Sequence, residues 1–228
     1  GAHARLGYGS GHYFRSMDGM DMGGIDVVNK IYPGRTEGNF RTAFNNFDTT
    51  FNHWGLSKMA SSCANLDEKK QGNSICEAFG AYGWSEGLKV MKWITDAMCV
   101  RGINHIVPHA FSPASFPDPD CPPHFYARGF NPQFREFHQW STYTNRVCER
   151  ISGGKHIAPV AVLYHAEAEW GGKYQPFEEV VKLLMQNQID CEVVWCDLLT
   201  DLEKSCMKDG VLQINGESFR ILTVPYAE

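Results

Sequence analysis

Ile75-Cys76-Glu77-Ala78-Phe79-Gly80-Ala81-Tyr82-Gly83-Trp84, the amphipathic run Ser85 to Arg101, and then Gly102-Ile103-Asn104-His105-Ile106-Val107-Pro108-His109-Ala110-Phe111 decide how this chain folds. A short apolar segment runs into an acid set among small and aromatic residues. Leu88, Met91, Ile94, Ala97 and Met98 follow at the three-and-four spacing of a helix laid on a core. Gly102 is well placed to end that helix. Ile103 to Val107 then reads as a short buried strand. Strand, helix and strand in that order imply parallel pairing, because a helix is the usual way to bring the chain back to the same end of a sheet.

Downstream the same alternation continues. Five prolines between 113 and 123 mark a long loop, Ser112 to His124, and a second helix is predicted from Pro132 to Ile151. Ser152-Gly153-Gly154 stops it, and the composition shifts there, which places a domain boundary after residue 154. Val160 to Tyr164 reads as a buried strand, Phe177, Val180, Val181 and Leu184 as one face of a third helix, and Cys191 to Cys196 as another strand. Val211 to Ile214 and Ser218 to Leu222 flank Asn215-Gly216, a strong hairpin signal. Upstream, Ile25-Asp26-Val27-Val28 is a short apolar run interrupted by an acid. Tyr32 to Trp54 is a loop-like mixture, and Leu56 to Ala64 is small and apolar. The fold class is α/β with parallel strands.

Composition removes several classes of function. The chain has 228 residues, 43% of them hydrophobic and 21% charged, so it is not a disordered chain. No apolar run approaches the ~18 residues of a membrane span, and no membrane partner is expected. A net charge of −5 without a Lys/Arg block leaves no footprint for nucleic acid. The eight cysteines form no CxxC pair, so no structural zinc site is expected. Most are expected to be buried free thiols in a reducing, cytoplasmic compartment. A GxGxxG entering a helix, a P-loop, a GxSxG elbow and an HExxH are all missing. Both ends read as cut: there is no initiator Met, and Ile221 to Val224 reads as a buried strand with nothing after it.

In parallel α/β architectures the chemistry sits at the carboxyl ends of strands. Glu77 follows the strand ending at Cys76, His109 the one ending at Val107, and His165, Glu167 and Glu169 the one ending at Tyr164. Asp26 interrupts its own strand. Glu77 is the sharpest candidate, since a carboxylate among small and aromatic residues is costly to bury without a purpose or a partner. Backbone N–H groups or an arginine would satisfy it equally well. Aromatic side chains beside it suit stacking on a sugar ring. His109 can be a structural or a ligand-binding residue, and Glu167 and Glu169 can be plain solvated charges. Asp118 and Asp120 are loop acids of a kind that can hold calcium, but no motif supports a site, and no cofactor is expected.

These residues carry a resemblance. Glu77 to Trp84, the helix, and Gly102 to Phe111 look like the last two βα units of a clan A glycoside hydrolase barrel. The order of elements resembles the family 42 β-galactosidases, in which an α/β amidotransferase-like domain follows the barrel. The wording around Lys58 to Ala64 and Glu77 is similar to the family 106 α-L-rhamnosidase-like proteins. The resemblance implies residues 1–154 as the carboxyl part of a (β/α)8 barrel and 155–228 as the start of a flavodoxin-like or amidotransferase-like domain. It makes Glu77 one of two catalytic carboxylates, at the end of the seventh strand. Asp26, Trp84, His109, Phe111 and Glu167 would contact a carbohydrate substrate. With Ile25 to Val28 counted as the fifth strand and Lys58 to Ala64 as the sixth, the acid/base partner would lie upstream of Gly1. The chain alone is then expected to be inactive, and its open strand edges to favour a homo-oligomer. The other reading is a non-catalytic carbohydrate-binding or assembly module.

Overall fold

In the computed structural model, residues 11–28, 31–33 and 50–228 are described; most of the loop-like stretch between Tyr32 and Trp54 lies outside them. Three short strands, β1 (Gly23–Val27), β2 (Ser74–Ala78) and β3 (His105–Pro108), pair in parallel in the order β1-β2-β3. Helix α1 (Tyr13–Met17) precedes β1, α2 (Leu56–Leu66) connects β1 to β2, and α3 (Leu88–Cys99) connects β2 to β3. Gly102 ends the turn after α3 with φ +92°, and an added Cβ would lie 2.7 Å from that of Ser61, so both backbone angle and space call for glycine there. Burial alternates along β1 and β2. Ile25, Val27, Cys76 and Ala78 face the core that α2 and α3 share through Met59, Cys63, Met91, Ile94 and Met98.

Lys58 to Ala64, counted as a strand from the sequence, lies inside α2. The segment is enclosed on nearly every side, and a helix buried all round loses the polar face that would betray its period. It fits because its residues are small. At Gly23 an added Cβ would meet the Ala60 carbonyl oxygen at 2.1 Å, so helix and strand touch backbone to backbone. A π-helical turn, Phe51–Gly55, leads directly into α2.

The second half begins after a 3-10 turn, Pro132–Glu136, and α4 (Phe137–Ile151). Strands β4 (Val160–Tyr164), β5 (Cys191–Trp195) and β9 (Ile221–Thr223) form a parallel sheet in the order β5-β4-β9, with α5 (Ala166–Gly171) and α6 (Phe177–Gln186) between β4 and β5. After α7 (Cys196–Thr200), strands β6 (Ser205–Lys208), β7 (Val211–Ile214) and β8 (Glu217–Phe219) make an antiparallel sheet. The Asn215-Gly216 turn has both residues at positive φ, 44° and 83°, as a two-residue hairpin requires. The hairpin's second arm stops at Phe219, however, and Ile221–Thr223 crosses to pair with β4. That last strand is not buried: Ile221 is 56% and Leu222 42% exposed. Val107, read as part of a buried strand, is likewise exposed. All eight cysteines are free, but only Cys63, Cys76, Cys99 and Cys191 are buried.

Helix α2 joins the two halves through buried charge. The ammonium of Lys58, 1% exposed, lies 3.0 Å from Asp190. His156 sets Nε2 2.7 Å from Asp190 and Nδ1 2.5 Å from Glu192. The other Glu192 oxygen accepts from the Ser62 hydroxyl at 2.5 Å, and Asn65 donates to Glu192 at 2.7 Å. Ser62 in turn accepts the Val193 N–H at 2.8 Å, so α2 covers the free edge of β5. Burial disfavours charged imidazole, but the hydrogen bonds to Asp190 and Glu192 outweigh it and raise His156 to about 9. One core runs from Tyr13 and Ile25 through α2 to Val162, Val181 and Val193, across Gly153-Gly154.

Replacing Glu192 by Ala removes the buried anion held by His156, Ser62 and Asn65 and leaves Lys58 and His156 with Asp190 alone. The expected cost is ~3–5 kcal/mol of unfolding free energy by urea titration at pH 6; a loss below ~1 kcal/mol would show the network to be idle. Because the folded pKa of His156 lies above its ordinary value, its contribution is complete below about pH 6.5 and fades as the pH rises towards 9.

Candidate functional site

The parallel register sets Asp26 directly beside Glu77, and Glu77 beside Val107. All three belong to the alternate positions that do not face α2 and α3. Strand order explains why such a face exists. When parallel strands follow one another in sequence and each crossover is right-handed, the helices collect on one side of the sheet. The other side keeps its polar residues. Glu77 lies within β2 rather than after it, one residue before the strand ends.

His109 extends from the next strand end, with its N–H donating to the Ala78 carbonyl at 2.8 Å. Its ring packs over Gly80, where an added Cβ would lie 3.4 Å from it. Its buried Nδ1 has no hydrogen-bond partner among the described residues. Burial first, and the charge of Glu77 second, push Asp26 up to about 6 against the opposing influence of His109. The structure thus brings Asp26, Glu77 and His109 to one corner of the sheet.

Trp84 reaches this corner through His124. Its ring stands edge-on to His124 at 5.7 Å, and His124 lies 6.4 Å from His109. On its other side Trp84 meets Phe116 at 5.6 Å, which stacks on Phe130 at 4.5 Å. The proline-rich loop folds back to place these rings, held by the Ser112 hydroxyl on Asp118 at 2.5 Å and by His124 on the Asp120 carbonyl at 2.7 Å. Phe111 turns elsewhere, into a cluster with Phe125, Phe134 and Phe137. Glu167 belongs to the second sheet, at the start of α5, where it pairs with Arg15 at 2.8 Å; Arg15 also holds Asp197 at 2.6 Å.

Glu86 is a buried acid that the sequence hides. It is buried, and both carboxyl oxygens are without a hydrogen-bond partner among the described residues. Leu88, Met91, Pro123, Phe125 and Phe137 line the crevice around it, and burial alone raises it to about 8. In the sequence it passes for an ordinary first-turn acid before α3. The only signal was its place two residues after Trp84.

Fold and site together define an α/β chain with parallel sheets and a carboxylate pair on the sheet face opposite α2 and α3. Among solved structures it is similar to a rhamnosidase from Novosphingobium sp. PP1Y, with a TM-score of 0.56 and 17% identity over 90% of this chain. The chain spans 18% of the length of that rhamnosidase. At that identity the likeness concerns the fold. No protein-family model and no curated protein matches. Among the described residues, no helix is long and apolar enough to cross a membrane.

The buried acid has a measurable consequence. An unfolded chain releases the Glu86 proton above about pH 4.5 while the folded one holds it to about pH 8, so this group lowers stability progressively across that interval. Glu86→Gln is expected to raise Tm relative to the parent by an amount that grows from pH 5 to pH 8. A constant difference over that range would show that Glu86 ionises normally.

Proposed function

We propose that this chain supplies the catalytic rim of a glycoside hydrolase acting on oligo- or polysaccharides. The observation that carries the reading is the acid pair Asp26 and Glu77, held at one register on the face of a parallel sheet opposite α2 and α3, in a fold similar to that of a rhamnosidase. Helices gathered on one side of sequentially ordered strands are what a (β/α)8 barrel requires, and the helix-free side is then its interior. With β3 as the eighth strand, β2 is the seventh and β1 becomes the sixth, because Lys58 to Ala64 is helical. Residues 1–154 form the carboxyl part of the barrel, and 155–228 begin a flavodoxin-like or amidotransferase-like domain.

In this reading Glu77 is a catalytic carboxylate, acting on the anomeric carbon or on the water that attacks it. His109 hydrogen-bonds to sugar hydroxyls, and Trp84, with Phe116 and Phe130 behind it, offers an apolar face to a pyranose ring. Phe111, turned into its own cluster with Phe125, Phe134 and Phe137, has no part in that wall. Glu167, engaged by Arg15, has its place in a hydroxyl contact only where the substrate extends towards the second sheet.

The test is hydrolysis of a panel of p-nitrophenyl glycosides, α-L-rhamnoside among them, by the complete gene product. Glu77→Gln is expected to lower kcat by ~10²–10⁴-fold with the Tm unchanged within a few degrees. Glycan binding without turnover, unaffected by Glu77→Ala, would replace the hydrolase by a carbohydrate-binding module.

A further inference from the structure

We propose that the crevice around Glu86 binds a primary alkylammonium group, its head beside the Glu86 carboxyl and its stem along the phenylalanine rings. The site is separate from the Asp26 and Glu77 face, neither of whose acids lines the crevice, and it stands whether or not the chain hydrolyses glycosides.

The crevice is built by a clamp across the start of α3. Glu86 closes a turn by donating its N–H to the Gly83 carbonyl at 3.1 Å, and α3 begins at Leu88. After the proline-rich loop the chain returns over this turn. Gln133 accepts the Leu88 N–H on Oε1 at 3.0 Å and donates from Nε2 to the Glu86 carbonyl at 3.1 Å. Asn131 accepts the Gln133 N–H at 3.0 Å and donates to the His124 carbonyl at 3.1 Å. That clamp brings Phe125, Phe134 and Phe137 to the acid. The rings of Phe125 and Phe137 lie 4.9 Å apart, and Phe134 lies 6.3 Å from Phe137.

The chemistry of the walls selects the ligand. Glu86 is 7% exposed, neither of its carboxyl oxygens has a hydrogen-bond partner among the described residues, and it is the one charged residue lining the crevice. Asn131 and Gln133 each spend a donor on a backbone carbonyl, while each amide oxygen keeps a second lone pair. The crevice therefore offers acceptors and ring faces. An ammonium is the complement: it has three donors and no acceptor, and its charge is attracted by a carboxylate and by aromatic faces alike. Room for about one water-sized group admits an NH3+ head but not a guanidinium or a quaternary ammonium. Glu86, Met91, Pro123 and Phe125 are buried, whereas Phe134 is exposed and Asn131 and Gln133 are half-buried, so a slender stem enters past the latter three. Tyr82, the titratable neighbour that feels the charge of Glu86, is engaged elsewhere: its hydroxyl accepts the Ile31 N–H at 3.1 Å and donates to the Ile31 carbonyl at 2.9 Å.

The probe is n-butylammonium chloride, titrated into the complete gene product carrying 13C-labelled methionine methyls. The Met91 signal is expected to shift with a Kd of about 1 mM, ordinary for so small a ligand. Glu86→Gln, expected to fold at least as stably as the parent, should weaken binding about 10–100-fold. Folded Glu86 must release its proton to pair with a cation, so binding to the parent should tighten about 50-fold from pH 6 to pH 8. Butanol has the same stem without the charge. The site is overturned if butanol, Na+ or K+ shifts Met91 as strongly, if Glu86→Gln binds butylammonium like the parent, or if no shift occurs at about 50 mM probe. Putrescine and Nα-acetyl-lysine amide then separate two sources of the same chemistry: tighter binding of the first assigns the site to free diamines, of the second to a lysine side chain. Glycoside turnover enters none of these measurements, so this inference and the hydrolase reading fail separately.

Discussion

A buried ammonium and a buried carboxylate, joined by a half-buried imidazole and a second, half-buried carboxylate, hold the two halves of this chain in register. Lys58 and Ser62 come from the helix that connects β1 to β2, whereas Asp190 and Glu192 lead into and lie on β5, and His156 stands between them. Removing any one charge strands the others in low dielectric, so the network works as a unit. It also fixes α2 against β5 by covering that strand's edge through the Ser62 hydroxyl. Since the same helix lies backbone to backbone on β1 at Gly23, its position sets the first sheet against the second.

From that placement the functional face follows. With α2 and α3 both on one side, the acids of β1 and β2 fall on the other side, away from the core those helices share. Asp26 and Glu77 are tolerable there because both keep some contact with solvent, and burial together with the charge of Glu77 raises Asp26 to about 6. Glu86 shows the opposite treatment. A carboxyl enclosed by Leu88, Met91 and Phe125 is pushed up to about 8 by burial.

The chain's local grammar was legible wherever period and punctuation agreed. Leu88 to Met98 with Gly102 behind it gave α3, the run Val160 to Tyr164 gave β4, and Asn215-Gly216 gave the turn between β7 and β8. The acid in the apolar run at Asp26 and the acid among aromatic residues at Glu77 also stood out, because an ionisable group is conspicuous where its neighbours favour burial. Lys58 to Ala64 failed because a helix packed on nearly every side shows no polar stripe. Ile221–Thr223 was mistaken for a hairpin arm because its true partner, β4, lies some sixty residues away.

Residue type and spacing alone therefore determined that strands alternate with helices, and which acids and rings were worth watching. Whether two of those acids stand together was a matter of register: a pairing shifted by one residue would have sent one of them to the opposite face. The approach of His124 and Phe116 to Trp84, and the departure of Phe111 and Glu167 to other clusters, were settled only by how the proline-rich loop folds back and how the second sheet docks. Such contacts join residues far apart along the chain, and no local preference encodes a distance through space.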